Sequence, residues 1–149
     1  MTVDVRTEIV IHRPVETVAA YAADPTNAPE WYVNIEAVEW RTPPPVATGS
    51  AVAFVARFLG RRLEYTYEVV ELDPGEKLVM RTQEGPFPME TTYTWSAVDD
   101  RSTRMTLRNR GEPAGFARIT AGAMRRAMRR ANAKDLEHLR RILEAGPPR

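Results

Sequence analysis

Cysteine is absent from these 149 residues. That excludes a disulfide scaffold, a thiolate nucleophile and any thiolate-held metal, and it suits a cytoplasmic setting. Long apolar runs are missing as well, since no stretch reaches the ~18 consecutive apolar residues of a membrane-crossing helix. Met1 to Arg13 alternates polar with apolar residues and does not build a secretory signal. Histidine is scarce: His12 and His138 are not spaced as a metal pair, and no His-Glu-x-x-His pattern occurs, so no metal site is expected. Ser50, Ser96 and Ser102 fall in or near turns or on outer strand faces without a histidine to accompany them, which leaves a hydrolase triad unsupported. Neither a Gly-x-Gly-x-x-Gly fingerprint nor a phosphate loop with lysine is present, so no nucleotide or other cofactor is expected.

Net charge is only +1, so the whole molecule has no reason to seek a polyanion. The basic pairs Arg125-Arg126 and Arg129-Arg130 make a local ridge at helical spacing, but Asp135, Glu137 and Glu144 are interspersed nearby. The ridge reads as a solvated face. Nucleic acid and stable membrane insertion are therefore not expected as partners, and a homodimer is left open.

What is present alternates. Val3, Val5, Thr7, Ile9 and Ile11 share one face of a first strand. Pro14 suits a helix start, and Val15, Val18, Ala19 and Ala22 give a short helix its stripe. Asp24-Pro25 breaks it, and Thr26 to Trp31 adds a turn or two. Asn34 to Trp40 is a second strand, closed by Thr42-Pro43-Pro44-Pro45, where the missing donors confine the chain to a sheet edge. Period-two faces then follow in succession: Val52, Phe54, Ala56 and Phe58; Leu63, Tyr65, Tyr67 and Val69; Leu78, Met80 and Thr82; Met89, Thr91, Tyr93 and Trp95; Thr103, Met105, Leu107 and Asn109. Gly60-Arg61, Asp73-Pro74-Gly75, Gly85-Pro86-Phe87-Pro88 and Asp99-Asp100 mark the turns between them.

After Pro113 the period becomes helical. Phe116, Ala123, Met124, Ala127, Met128, Ala131, Leu136, Leu139 and Leu143 form a broad stripe on a helix predicted from about Gly115 to Ala145, ~45 Å at 1.5 Å per residue. Gly146-Pro147-Pro148 stops it. An antiparallel sheet with one apolar face and a long amphipathic helix are each other's obvious partners, which predicts one α+β domain over residues 1–149.

Several segments in combination carry a resemblance: Arg13-Pro14-Val15-Glu16-Thr17-Val18, Tyr21-Ala22-Ala23-Asp24-Pro25 leading to Pro29-Glu30-Trp31, Leu72-Asp73-Pro74-Gly75-Glu76-Lys77-Leu78 and Gly85-Pro86-Phe87-Pro88. With them the chain resembles the SRPBCC, or START-like, helix-grip superfamily, in its bacterial polyketide cyclase/dehydrase-like branch. The resemblance implies a seven-stranded curved antiparallel sheet gripping the C-terminal helix, two short helices after the first strand, and a cavity between helix and sheet. It implies no single function.

The candidate site follows from the inward faces. Phe54, Phe58, Tyr65, Tyr67, Tyr93 and Trp95 either fill a core or wall a pocket, where tyrosine and tryptophan offer an apolar surface with one polar handle. Thr82, Thr91 and Asn109 share those faces and need partners. Met80, Met89, Met105, Met124 and Met128 suit an adaptable interior, and Phe87 is placed as a lid. The pocket is expected at ~300–1,000 Å³, the ordinary range for a small-molecule site. Ala123 and Ala127 are read as the close-approach side of the helix. Arg57, Glu64 and Glu68 fall on the outer face by parity, unless a bulge near Gly60 reverses it. Tyr65 or Tyr67 could protonate an enolate, but no positioned base is legible and no catalytic residue is named. The reading is a binder of a small hydrophobic molecule. The alternatives are an aromatase/cyclase-like or dehydratase-like enzyme and a co-chaperone-like interaction module.

Overall fold

The computed structural model describes residues 2–113 and 119–146. Strand β1 (Val3–Ile11) leads into α1 (Val15–Ala23), one 3₁₀ turn (Pro25–Asn27) and α2 (Ala28–Trp31). Then come β2 (Ile35–Trp40), β3 (Ala51–Phe58), β4 (Arg61–Asp73), β5 (Lys77–Glu84), β6 (Met89–Asp99), β7 (Ser102–Gly111) and α3 (Ala121–Ala145). Seven antiparallel strands form one sheet in the order β1-β7-β6-β5-β4-β3-β2. This is the helix-grip α+β architecture. Hairpins link β2 to β7 in sequence, whereas α1 and α2 carry the chain from one sheet edge to the other.

Two local devices shape the sheet. Leu59 and Gly60, both at positive φ (49° and 79°), make the tight β3–β4 turn, whose twist matches paired strands. Phe58 pairs with Arg61 and Arg57 with Arg62, so parity passes through this turn unreversed. Register breaks at Ile35/Ala37, Thr66/Tyr67, Val69/Glu71 and Ala97/Asp99 lie farther along the strands. Such bulges bend the strand that carries them, and a bent sheet can wrap a helix.

Helix α3 begins later than predicted. Thr120 is its N-cap, with Oγ1 accepting from the Ala123 amide at 3.1 Å, and a capping hydroxyl competes locally with helix continuation. The predicted start near Gly115, Phe116 and Arg118 lie outside the described residues. At 25 residues the helix is ~37 Å long. Its far end is tied to the β1–α1 connection: Arg13 Nε donates to the Leu143 carbonyl at 2.7 Å and Nη2 to the Glu144 carbonyl at 3.1 Å. A cation there satisfies terminal carbonyls and complements the helix dipole.

The interior divides into two parts. Around the C-terminal half of α3, Leu136, Leu139 and Leu143 pack with Val18, Ala19 and Ala22 of α1, Trp31 of α2, and Leu78, Trp95, Met105 and Leu107 of the sheet. Around its N-terminal half, Met124 and Met128 meet Val3, Val5, Leu63, Tyr65 and Phe87. Ala123 is exposed and Ala127 half-buried, so the helix turns its methionines inward and keeps these alanines on its flank.

Candidate functional site

The N-terminal part of the interior holds a cavity of about 160 Å³. The inward faces of β3 to β5 contribute Phe54, Ala56, Phe58, Leu63, Tyr65, Tyr67 and Met80. Strands β6 and β7 add Met89, Thr91, Tyr93 and Asn109, the α2–β2 connection adds Tyr32 and Asn34, and α3 adds Met124, Met128, Ala131, Asn132 and Asp135. Phe87, 7% exposed, packs edge-on against Tyr65 with ring centroids 5.6 Å apart. Gly85 allows this approach, because a Cβ there would sit 2.7 Å from Tyr65 Cδ1.

Of the residues expected from the sequence, Phe54, Phe58, Tyr65, Tyr67, Met80, Phe87, Tyr93, Asn109, Met124 and Met128 all border the cavity. Trp95 does not. It faces inward but is packed in the other half of the core, edge-on to Tyr93, because α1 and α2 plug the space beneath it. Met105 is likewise fully buried there, and Thr82 turns its hydroxyl to the Met89 amide at 3.0 Å. The volume is below the expected range, since the aromatic rings occupy much of the interior themselves. Arg57 reaches the rim but is exposed and paired with Glu36 at 2.8 Å. Glu64 pairs with Arg62 at 2.9 Å on the outer face, and Glu68 accepts from Gln83 at 3.1 Å.

The polar groups of the cavity fall into three sets. Thr91 Oγ1 donates to Asn109 Oδ1 at 2.6 Å, and Asn109 Nδ2 donates to Asn132 Oδ1 at 3.2 Å. The hydroxyls of Tyr32 and Tyr93 meet at 2.5 Å. Asp135, 3% exposed, accepts from the Val33 amide through Oδ1 at 2.9 Å. Burial raises its carboxyl to about 7, against the opposing pull of that amide.

The sequence matches the family described as "Polyketide cyclase / dehydrase and lipid transport" over residues 2–144. The chain belongs to the polyketide cyclase/dehydrase and lipid transport family. No protein of curated function matches it. Among solved structures, TTHA0849 from Thermus thermophilus superposes with a TM-score of 0.82 at 22% identity, covering 97% of this chain and 100% of that one. The ZhuI aromatase/cyclase from Streptomyces sp. R1128 gives 0.76 at 20% identity, covering 99% and 100%. A START superfamily protein from Mycobacterium smegmatis gives 0.71 at 16% identity, covering 95% and 94%. Identities this low establish the shared fold and nothing finer.

In this family member the tyrosines are poor acids. Burial pushes the hydroxyls of Tyr32, Tyr65 and Tyr93 up, and that of Tyr67 to about 12. They stay neutral and serve as hydrogen-bonding groups, which weakens the expectation that Tyr65 or Tyr67 protonates an enolate. In the cavity, burial raises the Asp135 carboxyl to about 7, and sequence reasoning placed this residue on a solvated face. Asn132 and Tyr32 were also missed. The signal was present, because Met128, Asn132, Asp135 and Leu139 continue one helical face through two polar positions. Both histidines lie away from the cavity: His12 Nδ1 is 3.2 Å from Ser102 Oγ, and His138 Nδ1 is 3.3 Å from the Trp31 carbonyl oxygen. Among the described residues, no cluster of histidine and carboxylate side chains is arranged to hold a metal ion, and no helix is long and apolar enough to cross a membrane.

Proposed function

We propose that the protein binds one small, ring-bearing apolar molecule in the cavity between α3 and the sheet. The observation that carries this reading is the lining itself: aromatic and methionine side chains from four strands and one helix converge on a void that also holds a short polar chain, Thr91–Asn109–Asn132. An apolar wall with few fixed polar groups is the usual constitution of a small-molecule site, and methionine lets it adapt. At about 160 Å³ the space resembles an engineered apolar cavity of ~150 Å³ that accepts benzene. A larger guest requires Phe87, Met124 or Met128 to move. The same reading takes the chain as cytoplasmic.

Titration with a fluorescent apolar probe, alongside native mass spectrometry, tests the proposal. Saturable one-to-one binding is expected, and Met128→Trp should abolish it by filling the void while the thermal midpoint holds. Absence of saturable binding in the parent protein overturns the reading in favour of a protein-interaction role.

One observation favours the enzymatic alternative. Asp135 is a cavity carboxyl raised to about 7, in the range where a general base operates best at neutral pH. In a cyclase-like or dehydratase-like reaction its carboxylate would take a proton from carbon next to a carbonyl. Loss of such turnover in Asp135→Asn, with probe binding intact, would separate catalysis from binding.

A further inference from the structure

Asn132 and Asp135 are the polar interruptions in the buried face of α3, at 6% and 3% exposure. Three residues apart, they project from adjacent turns toward the same side, with Cβ atoms ~5–6 Å apart. Both border the cavity. Their hydrogen-bonding needs are opposite. Asn132 Nδ2 is buried without a partner among the described residues. Asp135 has the Val33 amide on Oδ1 and, among the described residues, no paired cation.

The direction of the network fixes which end of Asn132 is free. Thr91 commits its hydrogen to Asn109 Oδ1. Asn109 then has only its amide hydrogens for Asn132, which accepts through Oδ1. The chain Thr91–Asn109–Asn132 therefore ends on an N–H, and successive bonds polarise one another. An orphaned buried amide and an open buried carboxylate are each costly. A ligand that supplies one acceptor and one donor relieves both.

We infer that Asn132 and Asp135 read a single-ring ligand bearing both a carbonyl and a hydroxyl, the carbonyl accepting from Asn132 Nδ2 and the hydroxyl donating to the Asp135 carboxylate. This rests on the cavity-binding reading and adds to it the ligand's chemical class. The groups facing Asp135 from other elements are the Val33 amide and Tyr32 from the α2–β2 connection and Tyr93 from β6. Tyr32 and Tyr93 are held neutral by burial. On α3 itself, His138 is turned to the Trp31 carbonyl. The proton on Asp135 therefore controls its acceptor role, and the carboxyl's position at about 7 places that control near neutral pH.

Three probes separate the contributions: 3-hydroxyacetophenone carries both groups, acetophenone lacks the hydroxyl and 3-ethylphenol lacks the carbonyl. By calorimetry at about pH 8, 3-hydroxyacetophenone should bind about ten- to a hundredfold more tightly than either, the range for a hydrogen bond to a charged or otherwise unpaired buried group. At about pH 5.5 its advantage over acetophenone should collapse, because a protonated Asp135 no longer demands a donor. Asp135→Asn should remove that pH dependence, and Asn132→Leu should remove the preference over 3-ethylphenol. Saturable binding of all three probes with equal affinity at both pH values overturns this inference and leaves the cavity reading standing. Failure of every probe to bind overturns both.

Discussion

Along one face of α3 the two halves meet the sheet differently. From Leu136 onward the face carries Leu136, Leu139 and Leu143, and the space opposite is filled by α1, Trp31 and the lower sheet. Before Leu136 the same face carries Met124, Met128, Asn132 and Asp135, and a void remains opposite. Both halves are equally buried, so burial alone does not distinguish core from site. The difference lies in what opposes the helix. Two short helices plug one half, while the other is walled by aromatic rings, and a polar network tethers Asn132.

The sharpest test of that contrast is Trp95→Ala. Because Trp95 belongs to the filled half, its loss should cost ~3–5 kcal/mol of stability and leave probe affinity unchanged. Denaturant unfolding and titration on the same sample measure both. A large change in affinity would mean that the cavity extends into the lower half.

Next in size is the pair Leu139→Ala and Met128→Ala. The leucine should cost ~2–5 kcal/mol through a new hole in close packing. The methionine already borders empty space and should cost roughly 1 kcal/mol, since fewer neighbours lose contact. Equal losses in urea unfolding would erase the distinction between the halves.

Asp135 gives a smaller effect of known sign. Its carboxyl rises from the usual 3.8 to about 7 on folding, so between those values the folded chain holds a proton that the unfolded chain has released. Stability should therefore fall as pH rises through this window, with the cost fully present above it. Asp135→Asn keeps an oxygen for the Val33 amide and should gain roughly 2 kcal/mol at about pH 8, with little gain near pH 4. A variant less stable than its parent at about pH 8 would show that the carboxylate is better solvated than its burial indicates. The smallest effect is expected at the exposed histidines. His12→Ala and His138→Ala should each shift stability by less than ~0.5 kcal/mol, with probe titration unaltered.

The strand faces were legible because period two is a local property: alternation alone turned Tyr65, Tyr67 and Tyr93 inward. The delayed start of α3 was not, since the stripe runs on through residues that precede the Thr120 cap. Trp95 shows a second limit. Parity says which face a side chain takes, but not whether another element fills the space before it. Asp135 shows a third. A lone acidic residue among arginines reads as solvated until the helix phase is set against a sheet, and Asn132 and Asp135 then fall on the buried side.

The sequence by itself determined the α+β class, the antiparallel hairpins and the inward residues of most strands, because these rest on short-range periodicity and turn chemistry, while the family showed as a resemblance in segments such as Arg13 to Val18 and Leu72 to Leu78. Only the tertiary structure decided which part of the interior is solid, which polar groups converge, and that Asp135 is buried with no paired cation among the described residues. Those properties depend on where distant segments stop relative to one another. Asn109 meets Asn132, and the Val33 amide meets Asp135, across 23 and 102 residues of chain, and no local pattern encodes a meeting at that range.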